Sequence, residues 1–391
     1  MRRPQLSWSL VALLPLLIFL CFFFVWPLVM VMSQSVTDAA VSSVLVETSR
    51  VAPDWDRQSP PSPDLQAAFV TDLRNAPDEQ AIGDMVRRLN SAQQGFRTLM
   101  AKTLAAIRTN PSGPVELAAI DERWSRVEFW RTIVEALSPR TDRYLLAAVD
   151  LKRADSGAIV RQPAEEAANV VLLVRTFEIA ITVTIFCLLL GYPYALLLTA
   201  TTGWKRAVML AAILLPLWTS LLVRTAAWFM LLQERGLIND VLLGAGLVSS
   251  PLPLIFHRTG VIIAMVYVAL PLMVLPVYSV LLTIPGNLMN AAASLGANPL
   301  LAFVRVLLPL SARGIAAGSL LVFITALGYY ITPALIGGPN DQMISSVIAF
   351  HALQSANWGL SSALGLLLLT ITVVLYLFYD RLMSKQTRVL S

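Results

Sequence analysis

Cysteine and histidine are almost missing from this chain. Cys21 and Cys187 both lie inside apolar runs, and His257 and His351 are far apart. Two distant thiols cannot frame a disulfide-stapled fold, and no ligand-spaced group of His and Cys exists, so no metal site is expected. Charge is scarce as well, at 14% Asp, Glu, Lys and Arg. The net charge of +5 comes from basic residues beside apolar runs and not from a basic face, so nucleic acid is not an expected partner. The pattern G-x-x-x-x-G-K-[ST] does not occur, which removes the backbone cradle for ATP phosphates. Neither G-x-S-x-G nor a His placed beside a nucleophile occurs. No catalytic residue and no bound cofactor are therefore expected. If ATP drives anything here, a partner subunit must bind and hydrolyse it.

What is abundant is hydrophobic surface. The 391 residues are 57% hydrophobic, with a mean hydropathy of +0.69. A soluble domain of this size is far less apolar, so the composition predicts a polytopic membrane protein. A hydrocarbon core of roughly 30 Å takes about 20 apolar residues of helix. Spans are predicted at 8–33, 169–200, 207–232, 259–283, 314–336 and 359–380. The first is too long for a signal peptide and lacks a clean cleavage site, so it is read as a retained anchor. Arg2, Arg3, Lys205, Arg206, Arg305, Arg313, Arg381, Lys385 and Arg388 then fall on one side, and the short loops of the other side hold Arg235 and Arg258. By the positive-inside rule both termini are expected in the cytoplasm.

Residues 35–168 break this pattern. A Pro-rich polar run is followed by charged, helix-periodic sequence. Pro77 is placed to open a helix whose first turn holds Asp78 and Glu79, and Pro114 or Glu116 to start another. Trp124, Phe129, Trp130, Tyr144 and Leu145 are the expected core of a small outward-facing domain. Its basic residues do not offend the positive-inside rule, because loops beyond about 60 residues translocate largely regardless of charge.

Between the fourth and fifth spans lies NAAASLGANPLLAFVRVLLPLSARGI, residues 290–315. Ala291–Leu295 is expected to form a short helix, and Gly296 a tight turn. Pro299 opens a second helix with Phe303, Val306 and Leu307 on its apolar face, and Pro309 is expected to end it. The segment resembles the EAA loop of ABC-importer permeases: E-A-A, three residues, G-A, then L-P about a dozen residues after the Gly. Ala291, Ala292, Gly296, Ala297, Leu308, Pro309, Gly314 and Ile315 fall in place, and Asn290 stands where the family usually has Glu. GYPYA (191–195), LLPLWTSLLVRTAAW (214–228), GLIN (236–239), YVALPLMVLPVYSVL (267–281) and GYYITPALIGGPNDQMIS (328–345) extend the resemblance to PotB-type permeases of spermidine/putrescine importers.

The resemblance implies an all-α inner-membrane permease of six transmembrane helices, with a helical extracytoplasmic insertion. Residues 1–34 would be the tail and first span, 35–168 the insertion, and 169–391 the permease core. It further implies a second permease subunit, two ATP-binding-cassette ATPases and a periplasmic binding protein, in the lipid bilayer of a bacterial plasma membrane. The solute would be a polyamine or a related amine. Asn290, Ala291, Ala292, Gly296, Ala297, Phe303, Arg305, Leu308 and Pro309 would form the ATPase-coupling loop. The alternative from another class is a membrane-anchored sensor or scaffold whose outer domain binds a ligand.

Ionisable groups within spans are costly and are functional candidates. Glu178 in the second span and Arg224 in the third lie at comparable depths and are expected to pair, either fixing helix packing or lining the solute path. Trp228, Tyr267 and Tyr330 are candidate path contacts, since aromatic faces bind ammonium groups. Pro216, Pro271, Pro276 and Pro333 predict bent helices, whose freed carbonyls need protein or a wet cavity to satisfy them.

Overall fold

The computed structural model describes residues 5–76, 78–111, 113–154, 157–165, 167–355 and 357–389. Pro77, expected to open a helix, and Arg2 and Arg3 lie outside the described residues. The chain divides into two compact units, Met1–Leu145 and Leu146–Ser391.

The first unit begins with α1 (Gln5–Leu20), a π turn (Cys21–Val25) and α2 (Trp26–Ser33). Its apolar portion, Leu13–Ser33, buries no side chain within the protein. Pro27 follows the π turn by two residues. Proline has no N–H for the carbonyl four residues back and its ring crowds that carbonyl, so a wider turn just before it absorbs the misfit.

Among the described residues seven α-helices follow: α3 (Val46–Val51), α4 (Pro63–Arg74), α5 (Glu79–Ala92), α6 (Phe96–Thr109), α7 (Leu117–Ile120), α8 (Val127–Ala136) and α9 (Arg143–Ala148). Their starts follow local chemistry. Ser62 accepts from the Leu65 N–H with Pro63 in the first turn, and Asp78 caps α5 through the Ala81 N–H. Phe69, Trp124 and Trp130 meet at the centre, with ring centroids 5.0–5.3 Å apart. A buried indole N–H needs an acceptor, and each finds one: Trp124 donates to Thr103 Oγ1 at 3.0 Å and Trp130 to the Trp124 carbonyl at 2.8 Å. Trp124, Phe129 and Trp130 are thus core residues as expected, while Tyr144 and Leu145 are only half-buried. Tyr144 Oη donates to Asp38 Oδ2 at 2.8 Å, and Arg88 Nε binds the same carboxylate. Burial pushes the Tyr144 phenol up to about 12, so it remains a donor at any physiological pH.

In the second unit β1 (Leu151–Arg153) and β2 (Ile159–Arg161) form one antiparallel hairpin, a small exception in a helical chain. Asp150 then caps α10 (Asn169–Ala200), accepting from the Asn169 and Val170 N–H groups at 2.9 Å each. The rest is α11 (Gly203–Trp218), α12 (Leu221–Leu231), α13 (Leu237–Gly244), α14 (Arg258–Thr283), α15 (Asn287–Ser294), α16 (Pro299–Ala302), a π turn (Phe303–Leu307), α17 (Leu308–Gly328), α18 (Ile331–Ile336), α19 (Ile344–Leu353) and α20 (Trp358–Val389). α10, α14 and α17 form the core, and small residues let them approach closely. A Cβ on Gly191 would lie 2.9 Å from Met273 Cγ, and one on Gly318 would lie 2.9 Å from the Met273 carbonyl oxygen.

Five helices among the described residues are long and apolar enough to cross a membrane, and one bent pair brings the number to six. The expected third span, 207–232, is that pair: α11 and α12 meet at 102°. The expected fifth span, 314–336, is also displaced. Its long helix runs over Pro299–Gly328, and α18 is a separate short helix after a break at Tyr329 and Tyr330. Pro309 does not end a helix. It sits in the first turn of α17, and the π turn ahead of it carries the chain through, as at Pro27.

One buried carboxylate ties α3 to α4. Asp72 accepts the Glu47 N–H at 3.0 Å, the Thr48 N–H at 2.7 Å and the Thr48 hydroxyl at 2.6 Å. Asp72→Ala would strand three donors and should destabilise this contact by about 3 kcal/mol. Faster amide exchange at Glu47 and Thr48 in the intact protein is the expected readout, and unchanged protection there would contradict the assignment.

Candidate functional site

The 290–315 segment is a knob closed at both ends by local hydrogen bonds. Gly296 ends α15 with φ +84°, a left-handed conformation that suits glycine. The Ala297 N–H reaches back to the Ala292 carbonyl at 3.0 Å, and the Gly296 N–H to Ala293 at 2.9 Å. This is a Schellman closure, which satisfies carbonyls the helix end would orphan. Asn298 opens α16, its Oδ1 accepting the Leu301 N–H at 2.7 Å, with Pro299 in the first helical position. Sequence reasoning missed Asn298, although Asn-Pro ahead of an apolar run is a recognisable start signal. Beside these two caps, Leu295 and Leu300 are 89% and 72% exposed.

The other loop residues divide by side. Asn290, Ala291, Arg305 and Pro309 are exposed, and Ala292 is buried. Phe303 and Leu308 are half-buried against the helical core, and the Phe303 ring meets the Tyr192 ring edge-on at 5.8 Å. Tyr192 Oη and Ser311 Oγ share a buried hydrogen bond of 2.9 Å. The knob is therefore continuous, through the π turn, with a helix that packs into the core.

Glu178 and Arg224 do not pair. Glu178 Oε2 accepts from Arg258 Nη1 at 3.2 Å, and Arg258 Nε lies 3.7 Å from Asp341 Oδ1. Arg258 opens α14 and so ties α10 to the turn after α18. Its part was not legible because its two carboxylate partners lie 80 residues before it and 83 after it in the chain. Arg224 instead folds back over the 102° break, where Nη1 donates to the Pro216 carbonyl at 2.5 Å. Thr219 Oγ1 donates to that same carbonyl at 3.2 Å. A cation at a helix C-terminus is favoured by the helix dipole, which explains why this residue stays with its own broken span. Its Nε is buried with no hydrogen-bond partner among the described residues.

The aromatic candidates are partly brought together. Trp228 on α12 and Tyr267 on α14 meet edge-on at 5.3 Å. Tyr330 is 39% exposed at the α17–α18 break, where its carbonyl accepts from Ser346 Oγ at 3.2 Å. The Tyr329 carbonyl accepts from Ser345 Oγ at 2.6 Å. Among the described residues no cluster of His, Cys, Asp and Glu has the form of a metal site.

Residues 185–388 match the family described as binding-protein-dependent transport system inner membrane component. A spermidine/putrescine transport system permease protein PotB from Haemophilus influenzae is 37% identical over 198 residues, spanning 51% of this chain and 69% of that protein. The Escherichia coli PotB is 34% identical over 218 residues, spanning 55% of this chain and 79% of its own length. A bacterial ABC transporter that imports alginate is similar in structure at a TM-score of 0.44 and 19% identity, over 54% of this chain and 79% of that one. With more than half of its length matched, the chain belongs to the family of binding-protein-dependent transport system inner membrane components, the multi-pass permease subunits of ABC importers.

Proposed function

We propose that this permease forms part of the path by which a small amine, of the spermidine and putrescine class, crosses the inner membrane. The observation that carries this reading is the identity of 34–37% to two permeases named for those solutes. In this reading the chain pairs with a second permease subunit as a heterodimer. Two ATPase subunits bind ATP on the cytoplasmic side, and a periplasmic binding protein delivers the solute. Both termini are cytoplasmic, and residues 35–168 face outward. Glu178, Trp228, Tyr267 and Tyr330 contribute to the path, with aromatic faces and a carboxylate suited to ammonium groups. Arg224 acts beside them by holding the broken third span in shape. A sensor or scaffold is disfavoured, because neither needs a permease core or a coupling loop.

The knob is the proposed seat of the ATPase. Leu295 and Leu300 enter an apolar groove, and Asn290, Ala291, Ala292, Gly296, Ala297, Phe303, Arg305, Leu308 and Pro309 shape or support the contact. Asn290 carries no charge where the family pattern has Glu, so docking here depends on shape and apolar contact more than on an ion pair.

In proteoliposomes holding the full transporter, spermidine-loaded binding protein should stimulate ATP hydrolysis several-fold. Glu178→Gln should raise the KM for spermidine about tenfold, equivalent to about 1.4 kcal/mol. Stimulation by another solute class and not by spermidine would overturn the substrate assignment, and normal uptake by the variant would remove Glu178 from the path.

Gly296→Val forces a β-branched residue into a left-handed turn, a strain of roughly 1–2 kcal/mol or more. It should abolish co-purification of the ATPase, whereas Gly296→Asn, which tolerates that conformation, should retain it. Equal retention by both variants would sink the proposed role of the turn. The wild-type complex should also survive about 0.5 M NaCl, where the screening length is on the order of 4 Å. Dissociation there would mean that an ion pair holds the subunits together.

A further inference from the structure

α5 and α6 are joined by three residues and lie as an antiparallel pair with an open trough of about 350 Å³ along one side. On α6 the trough is lined by Arg97, Ala101, Leu104 and Arg108, spaced four, three and four residues apart along one face. On α5 Ile82, Gly83 and Val86 make the floor, with Arg87 and Glu79 at the rim. Arg97 to Arg108 spans about 16 Å of helix at 1.5 Å per residue, roughly three turns. A channel of that length between two helices, apolar along its floor and charged at its edges, has the shape that accepts a third helix.

Gly83 makes this trough a feature of the sequence. It sits inside α5 without a left-handed φ, and a Cβ there would meet nothing nearer than Arg87 Nη1 at 3.9 Å. Neither packing nor backbone geometry requires glycine, which destabilises a helix interior relative to alanine. What the missing side chain does is keep the floor open.

Charge defines what fits. The lining carries three guanidiniums, from Arg87, Arg97 and Arg108, against one carboxylate, that of Glu79. Arg87 pairs with Asp84 and Arg108 with Glu79, but these pairs are exposed and rearrange at little cost. Arg97 is exposed and has no carboxylate partner among the described residues. We propose that the α5–α6 trough docks an amphipathic helix of a partner protein whose apolar stripe is flanked by Asp or Glu. The chain's own α8 carries Glu128 and Glu135, yet its apolar face, which includes Trp130 and Ile133, is already buried in the core, so a second copy cannot offer that helix. The trough does not depend on which solute the permease carries.

The test uses the full-length permease in phosphatidylcholine nanodiscs and a fluorescein-labelled 14-residue peptide. The peptide carries Leu at positions i, i+4, i+7 and i+11 and Glu on the flanks, and a control carries Lys in place of Glu. After subtraction of empty nanodiscs, the Glu peptide should bind saturably and at least about tenfold tighter than the Lys peptide, a difference of about 1.4 kcal/mol. Gly83→Trp should fill the floor and remove that binding, whereas Gly83→Ala should retain it with a Tm no lower than wild type. Arg97→Glu should weaken the Glu peptide and strengthen the Lys peptide, a charge swap that a misfolded variant could not produce. Equal binding of the two peptides, or binding indifferent to both Gly83→Trp and Arg97→Glu, would overturn the proposal. So would protection of the trough by octanoate without peptide binding, which would make it a small-acid site. Concentration-dependent self-association abolished by Gly83→Trp would assign the trough to a second copy and equally defeat the proposal.

Discussion

In a membrane every broken helix must find partners for the backbone groups the break releases, and that requirement organises the permease half of this chain. Each break has its own answer. The Pro216 carbonyl at the end of α11 receives Arg224 and Thr219. The carbonyls of Tyr329 and Tyr330 receive Ser345 and Ser346. At Pro27 and Pro309 the misfit is taken up by a π turn two residues earlier, so no break occurs. Arg224, a charge that stands out as a functional candidate, is first of all a cap.

The same economy shapes the knob. Gly296 closes one short helix and Asn298 opens the next two residues later, and the second continues through the π turn into α17. α17 in turn packs on α14 through Gly318, so close that a methyl group would not fit against Met273. Leu300 is therefore joined to the core through unbroken helical backbone, as the proposed coupling role would require.

Much of the fold was legible in the sequence because hydrocarbon permits few alternatives. The long apolar runs at 169–200 and 259–283 coincide almost residue for residue with α10 and α14. Pro309, expected to stop a helix, lies inside a continuous one, whereas the bend expected at Pro216 appears as the 102° angle between α11 and α12. Composition reports that a segment is apolar, but it does not report whether a proline's orphaned carbonyl will be met by a neighbour, by a π turn or by a bend. The candidate site was legible to a similar degree: the Gly296 turn and the Pro299 start follow from local chemistry, whereas the partner of Glu178 does not.

The sequence by itself determined the membrane class, the absence of an ATP-binding loop, the positions of most spans and the local closures of the knob. These depend on residue type and on neighbours a few positions away. Only the tertiary structure decided that Glu178 faces Arg258 and Asp341, that Arg224 folds back on Pro216, and that Gly83 leaves a trough beside α6. Those outcomes depend on which helices come to lie side by side, and that is set by packing summed over the whole bundle.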